Sequence, residues 1–94
     1  MEKIIRQKAH IYLRHGGKKS RRANVSRLIR ACHNIAQHER VSHPSQISKR
    51  MIHEFYNRLI SDGISKRTIM DYYYAFVLMY ELFSRLGKPP KLNS

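Results

Sequence analysis

Acidic residues are scarce in this chain: six Asp and Glu stand against 19 Lys and Arg, leaving a formal net charge of +13 over 94 residues. A charge of that size raises self-repulsion in a folded domain, so it points to an anionic partner, with nucleic acid ahead of an anionic membrane or an acidic protein. The few acids are scattered. Asp62 falls at a helix end and Asp71 on a helix flank, and no pair is placed for general acid and base work. Cysteine is reduced to Cys32, which excludes an internal disulfide, fits a reducing cytosol and sits on an apolar stripe where a small buried hydrophobe is expected. No apolar run approaches the roughly 18 to 20 residues of a membrane span, and the N-terminus lacks the apolar segment of a signal peptide. A soluble protein of the cytoplasm is therefore expected. The six His form no metal-binding pattern: His10 and His15 are five apart, as are His33 and His38, and neither Cys-x-x-Cys nor His-Glu-x-x-His occurs. Period-two alternation between turn dipeptides is also missing, which argues against a sheet.

What the chain does have is a repeat. Ile47-Ser48-Lys49-Arg50-Met51-Ile52 returns, nearly letter for letter, as Ile64-Ser65-Lys66-Arg67-Thr68-Ile69, and Ser20-Arg21-Arg22 is a looser third copy. Each copy places a Ser where a helix N-cap belongs, ahead of two cations and an amphipathic run. In the two close copies an Ile precedes the Ser and another follows it by four residues, the spacing of a hydrophobic staple.

Around these starts the chain reads as helices throughout. Residues 3 to 14 carry Ile5, Ala9 and Tyr12 on one stripe, with Ile4 and Leu13 beside it, and stop at Gly16-Gly17. A second helix is expected from about Arg21 to Gln37, with Val25, Leu28, Ile29, Cys32, Ile35 and Ala36 inward and Arg27, Arg30 and Asn34 outward. Val41 to Gln46, with His43-Pro44, reads as a connector. The third helix begins at Ser48, turns Met51, Ile52, Phe55, Tyr56, Leu59 and Ile60 inward, and stops at Asp62-Gly63. The fourth follows at once from Ser65, with Ile69, Tyr72, Tyr73, Phe76, Val77, Tyr80 and Phe83 inward, and ends at Gly87 before Pro89-Pro90. As the longest element it would be the spine. The expected fold is all-α, a small bundle of four or possibly five helices within a single domain. The expected organisation is an N-terminal helix and turn over 1–17, a helical domain over 18–87, and the start of a linker over 88–94.

The cations of the repeat are the part that helix physics leaves unexplained. A helix N-terminus is already positive, so Lys and Arg in its first turn oppose the dipole. A phosphate at that place would satisfy both the cations and the free N–H groups. The expected phosphate surface is Lys18, Lys19, Ser20, Arg21, Arg22, Arg27 and Arg30, together with Lys49 and Arg50 and with Ser65, Lys66, Arg67 and Thr68. Base edges would be read by Arg67, Thr68 and Asp71, or by Arg50, His53 and Asn57. In the run Tyr72-Tyr73-Tyr74 the first two fall within or beside the inward stripe, and Tyr74 points elsewhere.

The order of these features resembles the core-binding domain of tyrosine recombinases, the phage integrase family. The likeness spans about Arg21 to Leu86. It rests on Phe55-Tyr56-Asn57-Arg58-Leu59 with Gly63, and on Ser65-Lys66-Arg67-Thr68-Ile69 with Tyr73, Phe76 and Phe83. The resemblance implies a SAM-like helical domain forming one half of a clamp around duplex DNA. The other half would be a catalytic domain of the same polypeptide, following the present C-terminus and carrying the family's Arg, Lys, His and nucleophilic Tyr. It also implies that Ser65 to Thr68 and Ser20 to Asn24 face DNA, and that this chain binds DNA without cutting it, with no cofactor. Self-association on DNA and a prokaryotic, phage or mobile-element setting go with that reading. Two other readings remain open at the level of sequence: a basic RNA-binding or ribosome-associated module, and a stand-alone DNA-binding regulatory or excision factor.

Overall fold

A computed structural model describes residues 1–15 and 17–92 of the chain. Gly16 and the last two tail residues, Asn93 and Ser94, lie outside the described residues. The elements are α1 (Glu2–Lys8), α2 (His10–Arg14), α3 (Lys18–His38), a 3-10 turn (Pro44–Gln46), α4 (Lys49–Ser61) and α5 (Lys66–Leu82). The fold is all-α, as expected, and none of the described helices is long and apolar enough to cross a membrane.

The two repeated starts behave as their sequence says. Ser48 and Ser65 are N-caps: Ser48 Oγ accepts from Met51 N–H at 3.2 Å, and Ser65 Oγ accepts from Thr68 N–H at 3.2 Å. At the first start Ile47 and Ile52 are both fully buried, as a staple requires. At the second, Ile69 is buried while Ile64 stays 38 % exposed. α4 ends where Gly63 suggests. Its φ of +79° turns the chain into the left-handed region, and Ile64 N–H returns to Leu59 C=O while Gly63 N–H bonds Ile60 C=O.

Two helix ends depart from expectation. The second predicted helix does not start at a Ser20 cap. Gly17, at φ +73°, opens α3 one turn earlier, Arg21 N–H bonds Gly17 C=O, and Ser20 lies inside the first turn. With 21 residues α3 is longer than α5 with 17, so the longest element is not the fourth predicted helix. That helix also stops before Gly87. Ser84 takes φ +51°, Ser84 N–H bonds Glu81 C=O and Arg85 N–H bonds Tyr80 C=O, the closing pattern a Gly normally permits. The N-terminal stretch is broken at Ala9 into two short helices. Ile5 and Ala9 are nonetheless fully buried, so these helices contribute to the common core.

α5 is the central element although not the longest: Ile69, Tyr73, Ala75, Phe76, Leu78, Met79 and Tyr80 are all buried. Phe55 of α4 sets its ring edge-on to Tyr72 and Phe76, at 5.1 and 5.7 Å between centroids. Val25, Leu28, Ala31, Cys32 and Ile35 of α3 complete the core. Ala36 and Ile60, both expected inward, are exposed, Ile60 at 48 %. The connector is a built corner. His43 and Gln46 form a reciprocal cap around the turn, and Pro44 is buried at its first position. The tail crosses the core: Tyr56 OH donates to Pro90 C=O at 2.9 Å, and Leu92 packs half-buried against the cluster.

The sense of the helices decides which starts meet. Early in α5, Asp71 approaches Arg27 of α3 at 4.0 Å. Past its end, Phe83 sets its ring against His43 at 5.3 Å and Arg85 donates to Pro44 C=O, both in the connector after α3. α5 therefore runs beside α3 in the same sense. α4 begins at the opposite end, because Arg50 in its first turn bonds Glu39 just beyond the end of α3.

Candidate nucleic-acid interface

Lys66 and Arg67 precede Asp71 by five and four residues, and Arg21 and Arg22 precede Arg27 by six and five, in each case roughly 6 to 9 Å of helix rise. Since Asp71 and Arg27 face one another, the starts of α3 and α5 share one end of the bundle. Arg14 belongs there too, because Tyr12, half a turn before it, receives Arg21 and Asn24. The cationic end thus combines Arg14, Lys18, Lys19, Arg22, Lys66 and Arg67, all exposed. Among the described residues only Arg6, Arg27 and Arg50 are in ion pairs, so none of these six has a carboxylate partner. Arg14 was not among the residues expected at the phosphate surface. The signal for it is the absence of any Asp or Glu between Glu2 and Glu39.

The α3 start has a further property. Among the described residues no side chain caps it, so its first N–H groups have no side-chain acceptor there. At α5, by contrast, Ser65 Oγ accepts Thr68 N–H and donates to Thr68 Oγ1 at 3.1 Å. Those two hydroxyls are occupied with each other and with the helix, whereas Lys66 and Arg67 beside them are free.

Other residues expected to meet phosphate have structural partners instead. The Arg21 guanidinium donates to Tyr12 C=O at 3.0 Å and lies 4.4 Å over the Tyr12 ring, so it ties α2 to α3. Asn24 Nδ2 donates to Tyr12 OH at 3.3 Å, while its Oδ1 is buried with no partner among the described residues. Arg27 leans towards Asp71. Arg50 is held by Glu54 and Glu39, whose hydrogen bonds and charges raise its pKa further. Lys49 is exposed, but it and Arg50 stand at the far end of α3 from the other cations. The expected residues therefore do not form one surface: Ser20 lies within a helix turn, Lys49 and Arg50 are remote, Arg21 and Arg27 brace the fold, and so does Asn24, which the resemblance implies faces DNA.

Of the side groups expected to read bases, Asp71 faces Arg27 and Arg50 is paired, while His53 sets its ring edge-on to Tyr56 at 6.4 Å. Asn57 lines a 380 Å³ cleft with Asn34, His38 and Arg58, where Arg58 donates twice to Asn34 Oδ1 at 3.1 and 2.9 Å. Among the described residues no three His, Cys, Asp or Glu side chains gather closely enough to hold a metal ion. Cys32 is buried, and burial pushes its thiol up to about 12, away from nucleophilic use. Burial likewise pushes the Tyr56 phenol up, with Tyr73 and Tyr80 adding to the effect. Tyr73 is buried as expected, and Tyr74 is 57 % exposed.

No family model, curated protein or solved structure matches the chain, so the resemblance to the tyrosine recombinases has only the residues on which it was drawn.

Proposed function

We propose that the chain is a non-catalytic domain that binds double-stranded DNA, of the kind that forms the core-binding half of a tyrosine recombinase clamp. The observation that carries the proposal is the meeting of the α3 and α5 starts at one end, with six exposed cations and, among the described residues, no carboxylate partner for any of them. Helices in contact lie roughly 8 to 10 Å apart, and the major groove is about 12 Å wide. The two cationic starts therefore present themselves to a duplex at groove scale. Lys18, Lys19 and Arg22 beside uncapped N–H groups would take phosphates on one side, and Lys66 and Arg67 on the other. Phosphate contacts of this type position a protein and make its affinity steeply dependent on salt.

The test is a titration of the full chain with a duplex, repeated at several salt concentrations and with structured RNA as competitor. Binding near the micromolar range at physiological salt, typical of non-specific association, is expected, with duplex preferred over RNA. Preferential capture by the RNA would move the chain to the class of RNA-binding modules. Absence of salt-sensitive binding to either would overturn a nucleic-acid function.

A further inference from the structure

α5 is buried on nearly every side, yet one stripe along it stays open. At about 100° per residue, Lys66, Met70, Tyr74, Val77 and Glu81 fall within roughly 80° of arc. Met70 is 40 % and Tyr74 57 % exposed, and Val77 is half-buried between them and Glu81. Tyr74 is not a loose side chain, because Tyr73 stands edge-on to its ring at 5.3 Å. The two ends of the stripe carry opposite charges, and among the described residues neither Lys66 nor Glu81 has an ion-pair partner. Each also stands at the wrong pole of its own helix, a cation in the first turn and a carboxylate in the last.

We infer that this stripe is the contact face for a second copy of the chain, packed antiparallel about a two-fold axis. Lys66 and Glu81 are equally far from the midpoint between Tyr73 and Tyr74, and so are Met70 and Val77. A two-fold rotation there brings Lys66 opposite Glu81 of the second copy and Met70 opposite Val77, and sets the two Tyr74 rings together at the axis. The same rotation generates the mirror pairs, which is what a self-complementary interface requires. It also lays each Lys66 beside the carbonyl end of the neighbouring helix and each Glu81 beside its amide end, correcting both charges. A single four-turn helix contact belongs among the small, transient interfaces, below about 1,200 Å² in total. The inference needs no nucleic acid, so its failure would leave the DNA proposal as it stands; Lys66 meets either a phosphate or Glu81 of the second copy, so the pair and the DNA complex compete for that one side chain.

The test is sedimentation equilibrium of the full chain without DNA, at about 0.15 M salt, where the distant cations are screened beyond roughly 8 Å. Over about 10 μM to 1 mM, the range of a weak interface, the average mass is expected to rise from 11.2 kDa towards twice that value. Lys66→Glu or Glu81→Lys alone each sets like charges together and should weaken association by about tenfold or more. The double exchange K66E/E81K should restore it, and so should an equimolar mixture of the two single variants, because each supplies the charge that the other lacks. Tyr74→Ala should weaken it without changing charge. A wild-type chain that stays at 11.2 kDa throughout would overturn the inference. So would single variants whose defect is rescued by neither the exchange nor the mixture.

Discussion

Ser84→Gly should stabilise the protein, and the expected gain follows from one backbone angle. Ser84 closes α5 at φ +51°, in the left-handed region, where an L-residue with a Cβ is strained by about 1 to 2 kcal/mol. Its side chain is exposed, so replacing it removes no packing. The closing bonds from Ser84 N–H to Glu81 C=O and from Arg85 N–H to Tyr80 C=O are made by the backbone and survive the change. Glycine loses more conformational freedom on folding, which offsets roughly 0.4 to 1 kcal/mol. The net gain should lie between about 0 and 1.6 kcal/mol, with a midpoint of about 0.8 kcal/mol. For a domain of this size 1 kcal/mol corresponds to about 4 to 8 °C in Tm, so at the midpoint a rise of roughly 3 to 6 °C is expected by calorimetry or circular dichroism. Gly63→Ala is the converse. Gly63 stands at φ +79° and an added Cβ meets nothing within 4 Å, so any destabilisation there is conformational strain alone. It should lower Tm by at least as much. A Ser84→Gly protein less stable than wild type would refute this account of how α5 ends.

Two further outcomes test the core. Ile52→Ala should cost about 2 to 5 kcal/mol, since Ile52 is fully buried, whereas Ile60→Ala should fall within about 0.5 kcal/mol because half of Ile60 faces solvent; urea midpoints at a common m-value would separate them. The Cys32 thiol, raised from 9.0 to about 12 by burial, is an acid kept neutral in the fold. The folded state therefore holds its proton where the unfolded state has released it. The resulting contribution is complete below pH 9.0 and lost as pH rises towards 12, at up to about 1.4 kcal/mol per pH unit. Cys32→Ala should flatten the alkaline fall in stability relative to wild type, the buried Tyr56 phenol contributing equally to both proteins.

The parts of the fold legible in sequence are those set by local chemistry. Ser48 and Ser65 cap helices because their hydroxyls reach an N–H three residues on, and Gly63 ends α4 because its φ needs no Cβ. The errors arise where another residue performs the same task. Gly17 opens α3 before Ser20 can cap it, and Ser84 adopts the angle expected of Gly87. Ile60 satisfies the helical period, but among the described residues no element covers that side of α4, and it remains exposed. The candidate site was harder to read because a cation's availability depends on distant partners. Arg50 and Arg67 are equivalent in their repeats, yet Glu39, eleven residues from Arg50, binds one, and among the described residues no carboxylate reaches the other. Which starts share an end follows from the parallel course of α3 and α5, and no local pattern encodes that.

The near-copies Lys49-Arg50 and Lys66-Arg67, set at opposite ends of the bundle, allow the most direct measurement of the central claim. The slope of log K for duplex binding against log salt concentration should be compared for the wild type, for Lys66→Ala with Arg67→Ala, and for Lys49→Ala with Arg50→Ala. If phosphates bind at the shared start of α3 and α5, the first pair should lower the slope by up to about 2, nearly one for each phosphate left without its cation, and the second pair should leave it at the wild-type value. Equal effects of the two pairs, or a slope that neither changes, would contradict the assignment of DNA to that end.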